Sequence, residues 1–379
     1  MSDASPSRPA SPSATGSASA RLLSLDALRG FDMFWIVGGD AAVEALHKMT
    51  DAGPVSFLAT ELQHKAWQGF AFEDLIFPMF VFIVGVSLVF SLSKLVEREG
   101  RTGAARRVIT RGFFLYLLGI FYYGGLSTPL AEIRLLGVLQ RIALCYLFAG
   151  LAFCFLGLRG RIIACVSLLL GYWALMTFVS VPGVGAGHFE EGKNLANWVD
   201  SQYLPWRKWD GDHDPEGLLS TLPAIAGCLI GVFAGMFLKS DRESPIRKVV
   251  WIAGAGVALA TVGWLWNYQF PVVKKLWTSS FVLVASGYSC LFLATFYWII
   301  EVRGWRAWAQ PFVWIGMNPI TIYLIHHFVD FDRLAGRFVG GDVAKALGHG
   351  AEFAMALTVI ALVFWICRFL HQRKIFLRV

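Results

Sequence analysis

About ten apolar runs, each long enough to cross a bilayer, occupy most of this 379-residue chain, and they constrain its fold more than any motif does. Their limits read 22–46, 72–96, 106–126, 135–157, 161–181, 217–238, 247–267, 276–300, 308–328 and 351–370. A helix needs about 20 apolar residues to span the hydrocarbon. Lipid offers no partner to a free peptide group, so spanning runs must be helices or the strands of closed barrels. Runs of this length are helices. Residues of the AVILMFWYC class make up 56% of the chain and charged residues 16%, where a soluble domain carries about 25% charged residues. That composition excludes a soluble fold, a disordered chain, a coiled coil and a disulfide scaffold. The expected fold class is an all-α polytopic membrane protein, about ten transmembrane helices in one bundle.

Loop charge sets the orientation. Lys94, Arg98, Arg101, Arg106 and Arg107 share one set of connections with Arg159, Arg161, Lys239, Arg242, Arg247, Lys248, Arg303 and Arg306. Arg368, Arg373, Lys374 and Arg378 close the chain on that same set. Basic loops stay cytoplasmic, so an even number of spans puts both termini in the cytoplasm. The opposite set includes two long connections, 47–71 and 182–216, too polar for lipid and too short to be domains. The net charge of +7 is explained by this asymmetry, and no nucleic-acid partner is expected. The six cysteines lie in or beside apolar runs and read as small buried hydrophobes. Residues 1–20, nearly all Ser, Ala and Pro, form a disordered tail without a secretory layout, leaving 21–379 as the membrane unit. The protein is expected to be an integral, multi-pass membrane protein, in the cytoplasmic (inner) membrane if its source is bacterial.

Charges inside a bilayer cost about 2.5–3.5 kcal/mol each at a helix centre, so each one present calls for a reason. In SLDALRGFDMFWIVGGD, Asp26 and Arg29 lie three apart on one helix face, with Asp32 on roughly the same face. They read equally as an ion pair locking the first helix or as a lining of polar substrate contacts. Gly38, Gly39 and Asp40 loosen the outer end of that run. In LQHKAWQGFAFEDLIFPMFVFIVG, His64 and Trp67 precede the second run, Glu73 and Asp74 open it, and Pro78 predicts a kink one turn in. His64 at the membrane edge has the chemistry of a base or nucleophile, although a lone surface histidine is usually inert. Arg111 interrupts one apolar helix and reads first as a snorkelling side chain; Arg141 interrupts another, nearer the outer leaflet, and must point inward. The acid spacing of WDGDHDPEG resembles a calcium loop but lacks the EF-hand register and its terminal Glu, so no metal is expected. GMNPITIYLIHHF places Asn318 before a proline that opens the helix, with His326 and His327 near the outer face. No HExxH, P-loop or GxSxG pattern occurs. Residue chemistry alone stops at a polar cavity in a helical bundle.

Several stretches together resemble the transmembrane acyltransferases related to heparan-α-glucosaminide N-acetyltransferase. They are SLDALRGFDM, QHKAWQGFAFEDLIFPMFVFIVGVSL, GVLQRIALCYL, DPEGLLSTLPAIAGCLIGVFAG, KKLWTSSFVL and GMNPITIYLIHH, in order over residues 22–328. The resemblance implies an enzyme that takes acetyl from cytosolic acetyl-CoA and passes it to an amine across the membrane, typically that of a terminal glucosamine. It implies that 21–379 is an acyltransferase domain, that His64 is the catalytic histidine, and that Asn318 and His326 match the family's Asn and later His. It also suggests a homodimer. The large N-terminal domain and preceding span of the lysosomal enzyme have no counterpart here, which is expected to leave the N-terminus in the cytoplasm.

Amine attack on a thioester needs a base and a stabilised oxyanion. His64 serves either as general base or as transient acyl acceptor. Asp40 or Asp74 would orient the imidazole, and Asn318 or Arg141 would polarise the thioester carbonyl. Asp26, Arg29, Asp40, Trp67, Asp74, Arg141 and His326 are the substrate-binding candidates, and Arg107 and Arg111 the candidates for the CoA phosphates. A transporter or flippase of sugars or lipid-linked glycans is the alternative. It suits the intramembrane charges and broken helices, but no inverted repeat is found.

Overall fold

The computed structural model describes residues 22–376; the expected tail, 1–20, lies outside them. Among the described residues there is no β-strand, only three isolated bridges between loops. The helices are α1 (Leu23–Phe34), α2 (Asp40–Met49), α3 (Gly53–Glu61), α4 (Phe72–Tyr122), α5 (Val138–Phe155), α6 (Leu158–Phe178), α7 (Leu195–Tyr203), α8 (Thr221–Lys239), α9 (Pro245–Trp266), α10 (Ser279–Tyr297), α11 (Gln310–Gly316), α12 (Pro319–Phe328), α13 (Phe331–Val339), α14 (Asp342–Leu347) and α15 (Ala351–Gln372). Seven helical stretches are long and apolar enough to cross a membrane: α4, α5, α6, α8, α9, α10 with its extension to Val302, and 342–372. The protein is an integral multi-pass membrane protein.

The seven differ from the ten expected for identifiable reasons. α4 holds two of the expected runs, 72–96 and 106–126, joined at Gly100, which has φ 73° and ψ 175°. A continuous helix of 51 residues would be about 77 Å long. Yet Phe77 and Tyr122, at its two ends, line one cavity. The chain therefore doubles back at Gly100, in a conformation that glycine reaches without steric cost. Pro78 leaves the helical dihedrals around it intact, so the break expected there falls at Gly100 instead. The first expected run is divided by a π-helical turn, with Val37 and Gly38 (φ 134°) out of helical geometry, and the ninth is divided at Asn318. Both of these interruptions lie against the cavity, lined here by Ile36 and Pro319.

Packing sorts centre from rim. α4 and α8 are 72% buried over their apolar windows, whereas α6 and α9 are 22% buried and present Ile163, Val166, Val250, Trp251 and Leu265 outward. Helices buried in lipid associate through small residues that let backbones approach. A Cβ on Gly85 would stand 2.0 Å from the Cys228 carbonyl oxygen, and one on Gly231 2.1 Å from that of Phe82, which fixes α4 against α8. Gly30 and Gly316 fix α1 against α11 in the same way, with virtual Cβ contacts of 1.7 and 1.9 Å to backbone oxygens. Gly30→Ala must push two backbones apart, so it is expected to cost at least about 1–3 kcal/mol. A lower melting temperature of the detergent-purified protein is the readout; unchanged melting would mean that this crossing is slack.

All six cysteines are free and buried, as expected of small apolar fillers.

Candidate active site

One cavity of about 680 Å³ opens where the long polar connections fold back onto the bundle. Its wall draws on α1 (Met33) and the π-helical turn after it (Ile36), both ends of α4 (Phe77, Phe80, Tyr122) with Tyr123 just beyond, α5 (Val138, Leu139, Ile142) and α12 (Pro319, Ile320, Tyr323, His327). Its charged groups are His64, Lys65, Glu73, Arg134, Asp210, Glu216, Lys274 and Lys275. The apolar depth thus ends in a charged mouth.

Local structure explains how His64 comes to stand there. The loop before α4 is pinned to the loop before α10: the Gly69 N–H donates to the Val272 carbonyl at 2.9 Å, beside a Gln68–Val273 bridge. Glu61 accepts the Phe72 N–H at 3.1 Å, and Asp74 Oδ2 accepts the Ala71 N–H at 3.1 Å and the Lys65 N–H at 3.3 Å. Acids in a first helical turn satisfy orphan N–H groups and lie at the positive end of the helix dipole. Asp74, wholly buried, keeps Oδ1 for two partners: His64 Nδ1 at 3.1 Å and Lys274 Nζ at 3.4 Å. Lys274 Nζ is also 3.0 Å from His64 Nδ1, and Glu73 Oε1 is 4.0 Å from His64 Nε2. Burial lowers the Lys274 pKa, against the opposing pull of Asp74 and Glu73. The imidazole itself is 57% exposed and faces the mouth.

Nδ1 cannot both donate to Asp74 and accept from Lys274. With its proton on Nδ1 and shared with Asp74, the ring presents an Nε2 lone pair to the cavity. With Lys274 donating to Nδ1, the ring proton sits on Nε2 and no base faces outward. Asp74 and Lys274 together control whether His64 can accept a proton.

Across the mouth, Arg134 donates to Asp214 through Nε at 2.8 Å and Nη2 at 2.7 Å, and to Glu216 through Nη2. Its guanidinium lies over Tyr123 at 4.8 Å and Trp209 at 4.9 Å. Burial raises the Glu216 pKa, opposed by Arg141 and Arg134. Trp277 closes the inner wall with φ 47°, a left-handed backbone that a bulky residue adopts only when its surroundings hold it. Those surroundings are Arg141, 4.7 Å beneath the indole, and the edges of Phe77 and Phe281.

Asp200, on α7, braces this side by accepting the Leu218 N–H at 2.9 Å and the Asp214 N–H at 3.3 Å. Burial pushes its pKa up to about 6. A carboxyl whose folded pKa is raised contributes stability below its unfolded value near 4, and loses that contribution as pH rises through about 6. Melting measured from pH 4 to pH 7 should therefore fall along this window, by roughly 3 kcal/mol from this group. Asp200→Asn should flatten that slope; an equal slope in the variant would remove Asp200 as its source.

The other expected site residues fall in different places. Asp26 and Arg29 form an ion pair at 3.3 Å, and Arg29 also donates to the Gly316 carbonyl at 2.9 Å and to Ser87. They join α1 to α11 and α4 and are not among the residues that line the cavity. Asp40 accepts the N–H of Ala41 at 2.7 Å and does not orient His64; Asp74 does. The Trp67 indole N–H donates to the Phe189 carbonyl at 2.9 Å and packs outside the cavity lining. Arg141 is fully buried behind Trp277, donating to Gly217 and Ser220; its Nε and Nη1 have no hydrogen-bond partner among the described residues. Asn318 is buried beside the cavity-lining Pro319 and donates to the Ile375 carbonyl at 3.0 Å. His326 stacks on Phe331, while its neighbour His327 lines the cavity, stacked on Tyr122 with centroids 3.8 Å apart. Arg107 pairs with Glu99 at 2.7 Å and Arg111 lies over Tyr146, both off the cavity.

Lys274, Glu73, Glu216 and Arg134 were not singled out as site residues from sequence. Lys274 and Lys275 carried a signal nonetheless: two adjacent lysines stand in a connection of the set poor in basic charge, against the positive-inside bias.

Comparison with known proteins agrees with the motifs. Residues 21–263 match the family model described as heparan-alpha-glucosaminide N-acetyltransferase, catalytic. The human protein of that name is 27% identical over 384 aligned residues, covering 84% of this chain and 56% of the relative; the mouse protein is 26% identical over 382, with the same coverage. The chain thus spans about half the length of the curated relatives it matches. With the matched segment running from α1 through α9 and containing His64, Asp74 and Glu216, the chain belongs to the heparan-alpha-glucosaminide N-acetyltransferase catalytic family.

Proposed function

We propose that this protein transfers an acetyl group from acetyl-CoA to the amine of a glucosamine-type sugar, with His64 as the group that takes the amine proton. The observation that carries the reading is the His64–Asp74–Lys274 cluster at the mouth of the cavity. The family assignment supplies the reaction class.

The acceptor reaches the site as an ammonium, and Glu73 and Glu216 on the cavity wall are suited to attract it. The ammonium first releases one proton to water at the mouth, and His64, protonated on Nδ1 towards Asp74, takes a second on Nε2 from the neutral amine as it attacks. The nitrogen lone pair attacks the thioester carbonyl, the C–S bond breaks, and the proton returns from His64 to the CoA sulfur. The products are an acetamide and free CoA. In the covalent variant, Nε2 itself carries the acetyl group between two such steps.

The donor is proposed to come from the basic, cytoplasmic side. Asn318 joins the cavity-lining Pro319 to Ile375 near the C-terminus, whose basic residues mark the cytoplasmic face. Counting α4 as two crossings and the broken first and ninth runs as one each supports a reading in which both termini share that side and His64 faces the other.

The test is radiolabelled acetyl-CoA with purified protein in detergent, with and without glucosamine. Label should pass to glucosamine with free CoA released in proportion. A transporter consumes no thioester, so glycan movement without CoA release would overturn the reading. Label retained on protein in the absence of acceptor would select the acyl-histidine route.

A further inference from the structure

The loop WDGDHDPEG, whose acid spacing fails the calcium register, brings two of its side chains against Glu191. Glu191, Asp210 and His213 bring one ligand atom each to within 4.8 Å of one another. His213 Nε2 is 3.6 Å from Glu191 Oε1 and 3.7 Å from Asp210 Oδ2. Ligand atoms bound to one zinc at about 2.0–2.2 Å would stand roughly 3.3–3.6 Å apart. The spacing therefore needs little adjustment.

The acids alone would be unremarkable surface chemistry. The histidine is different: its side chain is only 5% exposed, and its Nε2 has no hydrogen-bond partner among the described residues although it lies near both carboxylates. Its Nδ1 lies 2.6 Å from Asp212 Oδ1. A carboxylate holding Nδ1–H leaves the Nε2 lone pair free, which is how metal-bound histidines are oriented. The cation at this point is Lys275, whose Nζ is 3.1 Å from Glu191 Oε1 and 3.0 Å from Asp210 Oδ2. It stands where a metal would neutralise the same oxygens, on a flexible stem about one-third exposed.

We propose that Glu191, Asp210 and His213 bind a zinc-class divalent cation, with Asp212 fixing the imidazole and Lys275 as the ammonium that the metal displaces. One imidazole with two carboxylates suits zinc and its neighbours better than calcium or magnesium, which prefer all-oxygen shells. Asp210 and Lys275 both line the active cavity. Metal binding therefore swings a positive charge next to Lys274 and His64, at the mouth. The proposal departs from the sequence expectation of no metal and does not depend on the acetyl-transfer reading.

The test uses the full chain, untagged, in detergent, stripped by chelator and titrated with Zn²⁺ against a chromophoric competitor. One equivalent should bind, and Co²⁺ in its place should give visible bands of a tetrahedral site. Asp212→Asn should weaken binding by about 10–100-fold, and His213→Ala by more. Lys275→Ala should bind about 10-fold more tightly or better, a gain that misfolding cannot produce. Failure of the wild type to bind stoichiometric Zn²⁺, undiminished binding by His213→Ala, or no gain in Lys275→Ala would each overturn the proposal.

Discussion

His64→Ala is expected to lower acetyl transfer by about 10²–10⁴-fold, the range for a lost general base, or roughly 2.7–5.5 kcal/mol of barrier. Melting should stay near wild type, because the imidazole is 57% exposed and its removal leaves no packed void. Asp74→Asn tests the same step from behind. The amide can still accept the Ala71 and Lys65 N–H groups, so α4 keeps its start. What it loses is the negative charge that holds the proton on Nδ1, and Lys274, already 3.0 Å away, is then free to donate to that nitrogen. The ring is switched to the tautomer with no outward lone pair. Transfer should fall substantially with little change in KM, and the double variant should be no worse than His64→Ala, as for residues acting as one unit. Full transfer by His64→Ala would end the assignment. Additive losses in the double variant would instead mean that Asp74 acts independently of the histidine.

The unequal legibility of these parts in the sequence has a physical cause. Hydropathy reports where a chain meets lipid, so the long apolar helices were visible, as were the breaks at Gly38 and at Asn318–Pro319. The Asp26–Arg29 pair was visible because i,i+3 spacing is fixed by helix geometry. The Asp74–His64 contact was half visible: ten residues separate the two, and only the cap at Ala71 determines which carboxylate turns towards the ring. Lys274 lies 210 residues from His64, and their meeting depends on the Gly69–Val272 link between two loops, which no local pattern encodes. For Arg107 and Arg111 the sequence indicates only the side of the membrane; in the fold they contact Glu99 and Tyr146. Side is a weaker constraint than depth and direction.

Arg134→Met is expected to be the most destabilising single change at the site. The guanidinium is nearly inaccessible, with 5% side-chain exposure, and it is bound to two carboxylates of which Asp214 is wholly buried and Glu216 10% exposed. Removing one partner of a buried ion pair strands the other charge, at about 3–5 kcal/mol. Here two are stranded, and contacts with the faces of Tyr123 and Trp209 go as well. Protonation is the way out: burial already raises the Glu216 pKa, so without Arg134 this acid should take up a proton more readily as pH falls. The variant should therefore melt far below wild type at pH 8 and recover part of the gap at pH 5. Adding Asp214→Asn and Glu216→Gln to Arg134→Met removes the stranded charge and should restore some stability, although each change alone is harmful. Such a sign reversal is the mark of a charge network as opposed to three separate contacts. If Arg134→Met melts like the wild type at pH 8, or the triple variant is no more stable than it, the network does not hold the mouth of the cavity together.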